Sequence, residues 1–475
     1  MHAPIAGIST PFQIGLKPLD GTAWIDVDDQ LHLYLDKKQR VMSAHAAAVF
    51  AAEPGTEARK IGDLYTSFMD TERIEALGAA PLREQLARID RVDSIPALLR
   101  TVGELEREGV GGLFGTYIEP DPGNPERYVV FIVQSGLSLP DESYYRLENF
   151  AKTRTAFRDY AATMLGLAGV EDASAPADRI LALETEIASH HWDNVRSRDA
   201  VATYNLMSWD DVQALVGVDL SPWLDAVAPG FQAGFAEINV NQPSALEGLG
   251  TLLTEERLDD WKAWLRLHVV RASAAFLSSD FVDANFAFYG TELTGVPVNR
   301  ERWKRGVGFV EAAMGEAVGK VYVERHFPPA AKEAMDELVA NLIEAYRQSI
   351  SALEWMRPAT RERALEKLAA FTPKVGFPAT WKDYSALEVD PADLGVVLPC
   401  CMLCRRWVRK VDDSGAHRLD AKRVAASCDG SCQNMLITGI RQQADQIRAR
   451  VRKHHRLGKC PLDSTALTAG ISRAF

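Results

Sequence analysis

Histidine and cysteine are the residues of this chain whose types and spacing could hold a metal. The ten His stand at positions 2, 32, 45, 190, 191, 268, 326, 417, 454 and 455. Two His at i and i+4 on one helix face, with a Glu beside the first, would bind zinc and activate its water; the signature is His-Glu-x-x-His. No His here is followed by Glu, so that motif is absent. His190-His191-Trp192-Asp193 is the densest His cluster outside the C-terminal region. Neighbouring side chains on a helix point about 100° apart, so both rings cannot face one ion, and the pair reads as structural. Arg196, Arg198 and Asp199 read as an ion-paired turn, and His326, beside Phe327-Pro328-Pro329, as a residue that orders a loop. There is no G-x-S-x-G and no Walker loop, and nothing points to a Ser-His-Asp triad. No catalytic residue is assigned.

The cysteines are confined to one end. Cys400, Cys401, Cys404, Cys428, Cys432 and Cys460 all lie in the last 76 residues, and no Glu follows Glu388. From Gly395 to Phe475 there are 15 Lys plus Arg and 6 Asp, a net +9, which leaves −21 on residues 1–394 of a chain whose total is −12. Such an abrupt shift marks a separate tail. The favoured reading is an out-of-frame translation product. A second reading is a metal knuckle of Cys401, Cys404, Cys428 and Cys432, of which Cys401-x2-Cys404 fits zinc spacing and Cys428-x3-Cys432 does not. With Arg448, Arg450, Arg452, Lys453 and Arg456 that tail could bind nucleic acid, although a solvated basic helix face is the commoner use of such a run. Cys400 and Cys401 have no His context that would make either a nucleophile.

The elements that would have to position a site are mostly helical. Met335, Leu338, Leu342, Tyr346 and Leu353 recur at helical spacing, and 332–350 contains neither Gly nor Pro. Pro358 suits the first turn of a following helix with an apolar stripe of Leu365, Leu368 and Phe371, which Pro373, Gly376 and Pro378 close. Ile180, Leu183, Ile187 and His191 form a third stripe. Tyr128 to Val133 reads as a strand of a small sheet, Gly111 to Gly115 as a turn between paired strands, and Pro120 to Pro125 as a loop. No internal repeat is present.

A family resemblance rests on several motifs. They are Arg302-Trp303-Lys304-Arg305, Gly315-Glu316-Ala317 with Gly319-Lys320, Tyr322-Val323 before His326-Phe327-Pro328-Pro329, Leu353-Glu354-Trp355-Met356, and Lys374-Val375-Gly376-Phe377-Pro378. Upstream are Glu57 to Tyr65, Gly136-Leu137-Ser138-Leu139-Pro140-Asp141-Glu142-Ser143-Tyr144-Tyr145, and Thr203 to Met207. With these motifs the chain resembles the neprilysin and endothelin-converting-enzyme type of zinc metallopeptidase, in its bacterial oligopeptidase branch, from about Ala58 to Leu394. The resemblance implies a large helical domain closing over a thermolysin-like catalytic domain, a zinc cofactor, and small peptides as substrates. The zinc helix, the Glu-x-x-x-Asp that gives the third ligand and the Asn-Ala-aromatic-aromatic substrate segment of that family have no counterpart here. The chain is therefore expected to bind no zinc and to be an inactive part of such an enzyme.

The expected fold is mainly α: a large helical domain with a small β element, plus the beginning of a thermolysin-like catalytic domain, the tail unassigned. The expected divisions are 1–50, an N-terminal segment without the family's opening motif; 51–300, the helical domain; 301–390, a helical segment leading into the catalytic domain; and 395–475, the basic tail. At 475 residues and 47% hydrophobic the composition is that of a globular protein. No apolar run of 18 residues and no basic-then-apolar leader occurs, so no membrane partner is expected and the cytoplasm is the default compartment. The alternative function is a non-catalytic peptide-binding lobe, or a nucleic-acid module through the tail. A lobe lacking its catalytic partner would self-associate through exposed apolar surface.

Overall fold

The structure is a computed structural model, and it describes residues 53, 55–385 and 387–389. The segment 1–50, the tail 395–475 and its four candidate zinc-ligating cysteines lie outside the described residues. Helices dominate. Helix α1 (Glu57–Met69) starts where the Thr56 hydroxyl accepts from Arg59 N, and α2 (Thr71–Leu77) follows at once, capped by Asp70. Next come α3 (Arg83–Asp90) and α4 (Ile95–Arg107), the latter capped by Ser94 with a Pro in its first turn. After two strands the chain forms α5 (Ser143–Arg146), α6 (Ala151–Leu167) and α7 (Ser174–His190). Helix α8 (Trp209–Val216) carries a complete capping box between Ser208 and Asp211 and stops at the left-handed Gly217. Then come α9 (Ser221–Val227), α10 (Pro243–Leu252), α11 (Leu258–Ser273), α12 (Ser279–Asn285) and a π-helical stretch, Phe286–Glu292. The described chain finishes with α13 (Arg302–His326), kinked at Met314, then α14 (Pro329–Ala352) and α15 (Pro358–Ala369).

One four-stranded sheet interrupts the helices. Strands β1 (Phe114–Asp121) and β2 (Asn124–Gln134) form an antiparallel hairpin. Two short later strands, β3 (Leu206–Ser208) and β4 (Glu237–Val240), complete the order β1-β2-β4-β3, with β4 parallel to β2 and antiparallel to β3. The expected strand at Tyr128 to Val133 is there and longer. The turn between the paired strands is not Gly111 to Gly115, which leads into β1, but the Asp121-Pro122-Gly123-Asn124 bend. Asp121, Pro122 and Asn124 add to Gly123 turn preferences that the Gly111 run, with glycine alone, lacks.

The buried apolar residues fall into two clusters. The larger joins α3 to α12 and the inner face of the sheet around Trp223, Trp261, Trp264, Phe157 and Phe235. The smaller joins Ile61 and Leu64 of α1, Val307 to Val318 of α13, and Tyr384 and Leu387. Between them Phe68 touches both Phe276 and Phe309, and Arg302 donates two hydrogen bonds to Phe68 O.

The two C-terminal helices run where the Pro positions and apolar spacing place them. Their stripes do not reach a core: α14 has no buried residue, and Met335, Leu338, Leu342 and Tyr346 are 36% to 54% exposed. Three stripe residues also fall outside their helices: His191 caps α7 and Leu353 caps α14, both in extended backbone, and Phe371 lies past the end of α15. Among the described residues no helix is long and apolar enough to cross a membrane.

Close packing of α4 on α9 depends on Gly103. A Cβ there would lie 2.7 Å from Trp223 O and 2.9 Å from Ala226 Cβ. Gly103→Val is expected to lower unfolding free energy by about 1–3 kcal/mol, read from the urea midpoint.

Candidate functional site

The most concentrated polar chemistry in the described molecule is a buried knot around Glu184. Glu184 lies on α7 between Ile180 and Ile187, on the face that enters the main core, and is fully buried. Its carboxylate accepts from Ser138 N at 2.9 Å, from Ser138 Oγ at 2.7 Å, and from the Tyr145 hydroxyl. Tyr145 in turn accepts from Leu139 N. The run Gly136 to Tyr145 therefore wraps on α7 through a carboxylate that would otherwise be stranded away from water. Burial, with the Glu184 charge beside it, pushes the Tyr145 phenol well above its usual range.

His268 on α11 closes the knot from the other side. Its Nε2 lies 3.6 Å from Glu184 Oε1, too long for a hydrogen bond, and it has no other hydrogen-bond partner. Arg271 lies 3.4 Å from His268 Nδ1 and donates to the Tyr289 hydroxyl, which donates to Ser138 O. Tyr289 sits in the π-helical stretch, a geometry that admits an extra residue at such a convergence. Burial first, and the Arg271 charge second, lower the His268 pKa to about 4. Glu184, Tyr145, Ser138 and His268 are buried, Arg271 and Tyr289 half-buried, and each oxygen of Glu184 already serves protein donors. It is a structural clamp.

The hairpin tip forms a second polar anchor. Asp121, buried, accepts from Gly123 N at 2.8 Å, the Tyr204 hydroxyl at 2.7 Å and Arg127 Nε at 2.8 Å. Burial alone would raise its pKa; these three hydrogen bonds outweigh it and lower it. A side chain at 123 would collide with the Tyr204 ring, which is why Gly stands there. Asn205 N donates to Asn239 Oδ1, and Asn239 Nδ2 donates to Thr203 O. The run Thr203 to Met207 is thus sewn to the sheet edge by its side chains.

The His and Arg residues singled out from sequence lie nearby but do not converge on an ion. His191 is lowered to about 4 by burial. Asp193 is committed to a turn, accepting from Val195 N and Arg196 N at 2.8 Å each, and Asp199 does the same for Val201 and Ala202. Arg196 stacks over the Trp192 ring at 3.6 Å rather than pairing with a carboxylate, while Val195 and Val201 stand 83% and 86% exposed. His326 ends α13 with its ring 5.2 Å from that of Tyr322. Sequence reading missed Glu184 and His268 as a pair. The available signal was a Glu at a core position of the Ile180, Leu183, Ile187 stripe, which demands partners.

Among the described residues no three His, Cys, Asp or Glu are placed to hold a metal. Glu184 and His268, the nearest approach to a ligand pair, lack a third donor and an open position, so they do not fit a catalytic zinc ion. The surface groove of about 360 Å³ by Val323, Phe327, Pro328, Lys332 and Phe377 is open and carries no His.

Comparison with known proteins supplies what the geometry does not. Residues 20–378 match the family model described as peptidase family M13. That match begins upstream of Glu57 and takes in part of the 1–50 segment. Human endothelin-converting enzyme 1 is 30% identical over 352 residues, covering 70% of this chain and 44% of that protein. The zinc metalloprotease Zmp1 of Mycobacterium tuberculosis, solved with an inhibitor, is 43% identical with a TM-score of 0.72, covering 80% of this chain and 58% of that one. PepO of Lactobacillus rhamnosis shares the fold at 22% identity and a TM-score of 0.67, covering 82% of this chain and 62% of that one. The chain spans about half the length of the curated relatives it matches.

Two outcomes follow from the clamp. Glu184→Ala leaves Ser138 N, Ser138 Oγ and the Tyr145 hydroxyl without their acceptor and is expected to cost about 2–4 kcal/mol by urea unfolding. His191 and His268 stay neutral in the folded chain down to about pH 4, while unfolded His takes its proton near 6.5. The unfolded state therefore binds more protons in that window, and stability should fall as pH drops from 6.5 to 4. Urea midpoints across that range should show the slope, and His191→Asn should roughly halve it.

Proposed function

The chain belongs to peptidase family M13, and on that premise we propose that it supplies the helical half of a zinc metallopeptidase acting on small peptides, without the half that cuts. The observation that carries this reading is that no His among its 475 residues is followed by Glu, while the helical fold of the family is present around a complete core. Bond cleavage in the relatives named as zinc metalloproteases is assigned to a metal site for which this chain supplies no ligand set. We therefore read it as inactive by itself and expect no zinc bound in its body.

We divide the chain into a helical domain, 51–300, and a segment, 301–390, that leads toward the catalytic half. The separate second cluster supports a distinct 301–390 segment, but it also takes in Ile61 and Leu64 of α1, which fall within 51–300. The half-exposed stripe of α14 supports a missing neighbour: four large apolar side chains at helical spacing are only partly covered by the described residues. Left uncovered, that stripe is our proposed route to self-association. We keep the cytoplasm as its compartment on the Cys-free first 399 residues. The nucleic-acid alternative rests on the tail, outside the described residues, and salt-dependent DNA retention that disappears on removing 395–475 is what would revive it.

Hydrolysis of a quenched fluorescent peptide tests activity. The purified chain is expected to give no chelator-sensitive turnover; turnover abolished by chelator and restored by zinc would overturn the reading. Sizing tests the exposed face. The chain is expected to run larger than a monomer, and Leu338→Glu with Leu342→Glu should shift it toward one; a monodisperse parent monomer would count against the uncovered face.

A further inference from the structure

Lys60 is a buried ammonium without a bonded carboxylate. It lies on α1, 7% exposed, and donates to two consecutive carbonyls, Tyr384 O at 2.7 Å and Ser385 O at 3.0 Å. They are 324 and 325 residues away in sequence. Buried Lys is rare because desolvating an ammonium is costly, so its retention needs a specific purpose.

The carbonyl pair is itself shaped for this contact. Asp383 accepts from Ser385 N and Ser385 Oγ, both at 2.8 Å, and this turn presents the two oxygens side by side. Helix α13 grips the same stretch from the other side: Lys382 N donates to Glu316 Oε2 at 2.8 Å, and Glu316 N donates to the Tyr384 hydroxyl at 3.3 Å. The Tyr384 ring is buried in the second cluster, and the Lys382 ammonium lies 5.4 Å from its centre. Residues 381–385 have no helix or strand of their own, so side chains of α1 and α13 do the work that a ladder would do elsewhere.

We propose that Lys60 is a positioning residue: with Glu316 it clasps residues 382–385 and so fixes the heading of the described segment through 389, whose Leu387 and Val389 still pack on the second cluster. This rests on the reading that 301–390 leads toward the catalytic half, for which that heading would set how the two halves meet. The hydrogen bonds of Lys60 go to adjacent carbonyls, with the Asp383 carboxylate of the same turn adding attraction through charge alone, so the device specifies the backbone path of an irregular segment.

Hydrogen exchange on the full chain tests it. In Lys60→Met, amides of 382–389 are expected to exchange at least about tenfold faster while α4 and α11 keep their protection. Should that variant fail to fold, Asp383→Ala, which leaves Lys60 and both helices intact, is expected to loosen the same stretch. Unchanged exchange at 382–389, or an equal rise along the whole of α13, would overturn the clasp. This readout is independent of peptide hydrolysis, so failure of the clasp and failure of the functional reading are told apart.

Discussion

A carboxylate with no access to water organises the helical body. Moving Glu184 out of water costs several kcal/mol, about the size of a small domain's entire net stability, unless its oxygens are fully served. Ser138 serves them from a segment without regular structure and Tyr145 from the short helix α5, and His268 and Arg271 crowd in from α11. The penalty for leaving Glu184 unpaired therefore becomes the reason that the segment after β2, helix α7 and helix α11 share one arrangement. Trp264, whose indole donates to Gly136 O, extends the same tie to the start of that loop.

The same economy recurs at the edges of the body. Asp121 gathers the hairpin turn and Tyr204, Asn239 gathers the strand approaching β3, and Lys60 gathers the irregular stretch after Pro378. Each is a buried or nearly buried polar group that satisfies backbone where no ladder runs. The molecule spends its polar side chains on holding loops in place, and this leaves no cluster of donors open to a metal or a substrate among the described residues. Family membership and the proposed inactivity are compatible: the helical scaffold is present, and no metal-ligand cluster stands among the described residues.

Much of the fold was legible because it obeys local rules. Pro358 opens a helix and the Val-rich run before Gln134 is a strand, whereas Asp-Pro-Gly-Asn reads from sequence only as part of a loop and in fact makes the hairpin turn. Strands β3 and β4 were not legible: they are three and four residues long, and β4 pairs in parallel with a strand far away in sequence. His191 was misread because a helical stripe says nothing about the residue at which the helix ends. The Met335, Leu338, Leu342, Tyr346 stripe was read correctly as a helix face, yet spacing alone does not say whether anything covers it. Glu184 escaped notice because its partners are 39 and 46 residues distant, and only the fold brings them together.

The central claim is that the body of this chain offers no zinc site. Calorimetric titration of zinc into the purified chain, after alkylating its six cysteines so that the tail cannot contribute thiolates, tests it most directly. The account predicts no saturable binding. A one-to-one site that survives alkylation and disappears when His268 or His191 is replaced would contradict it.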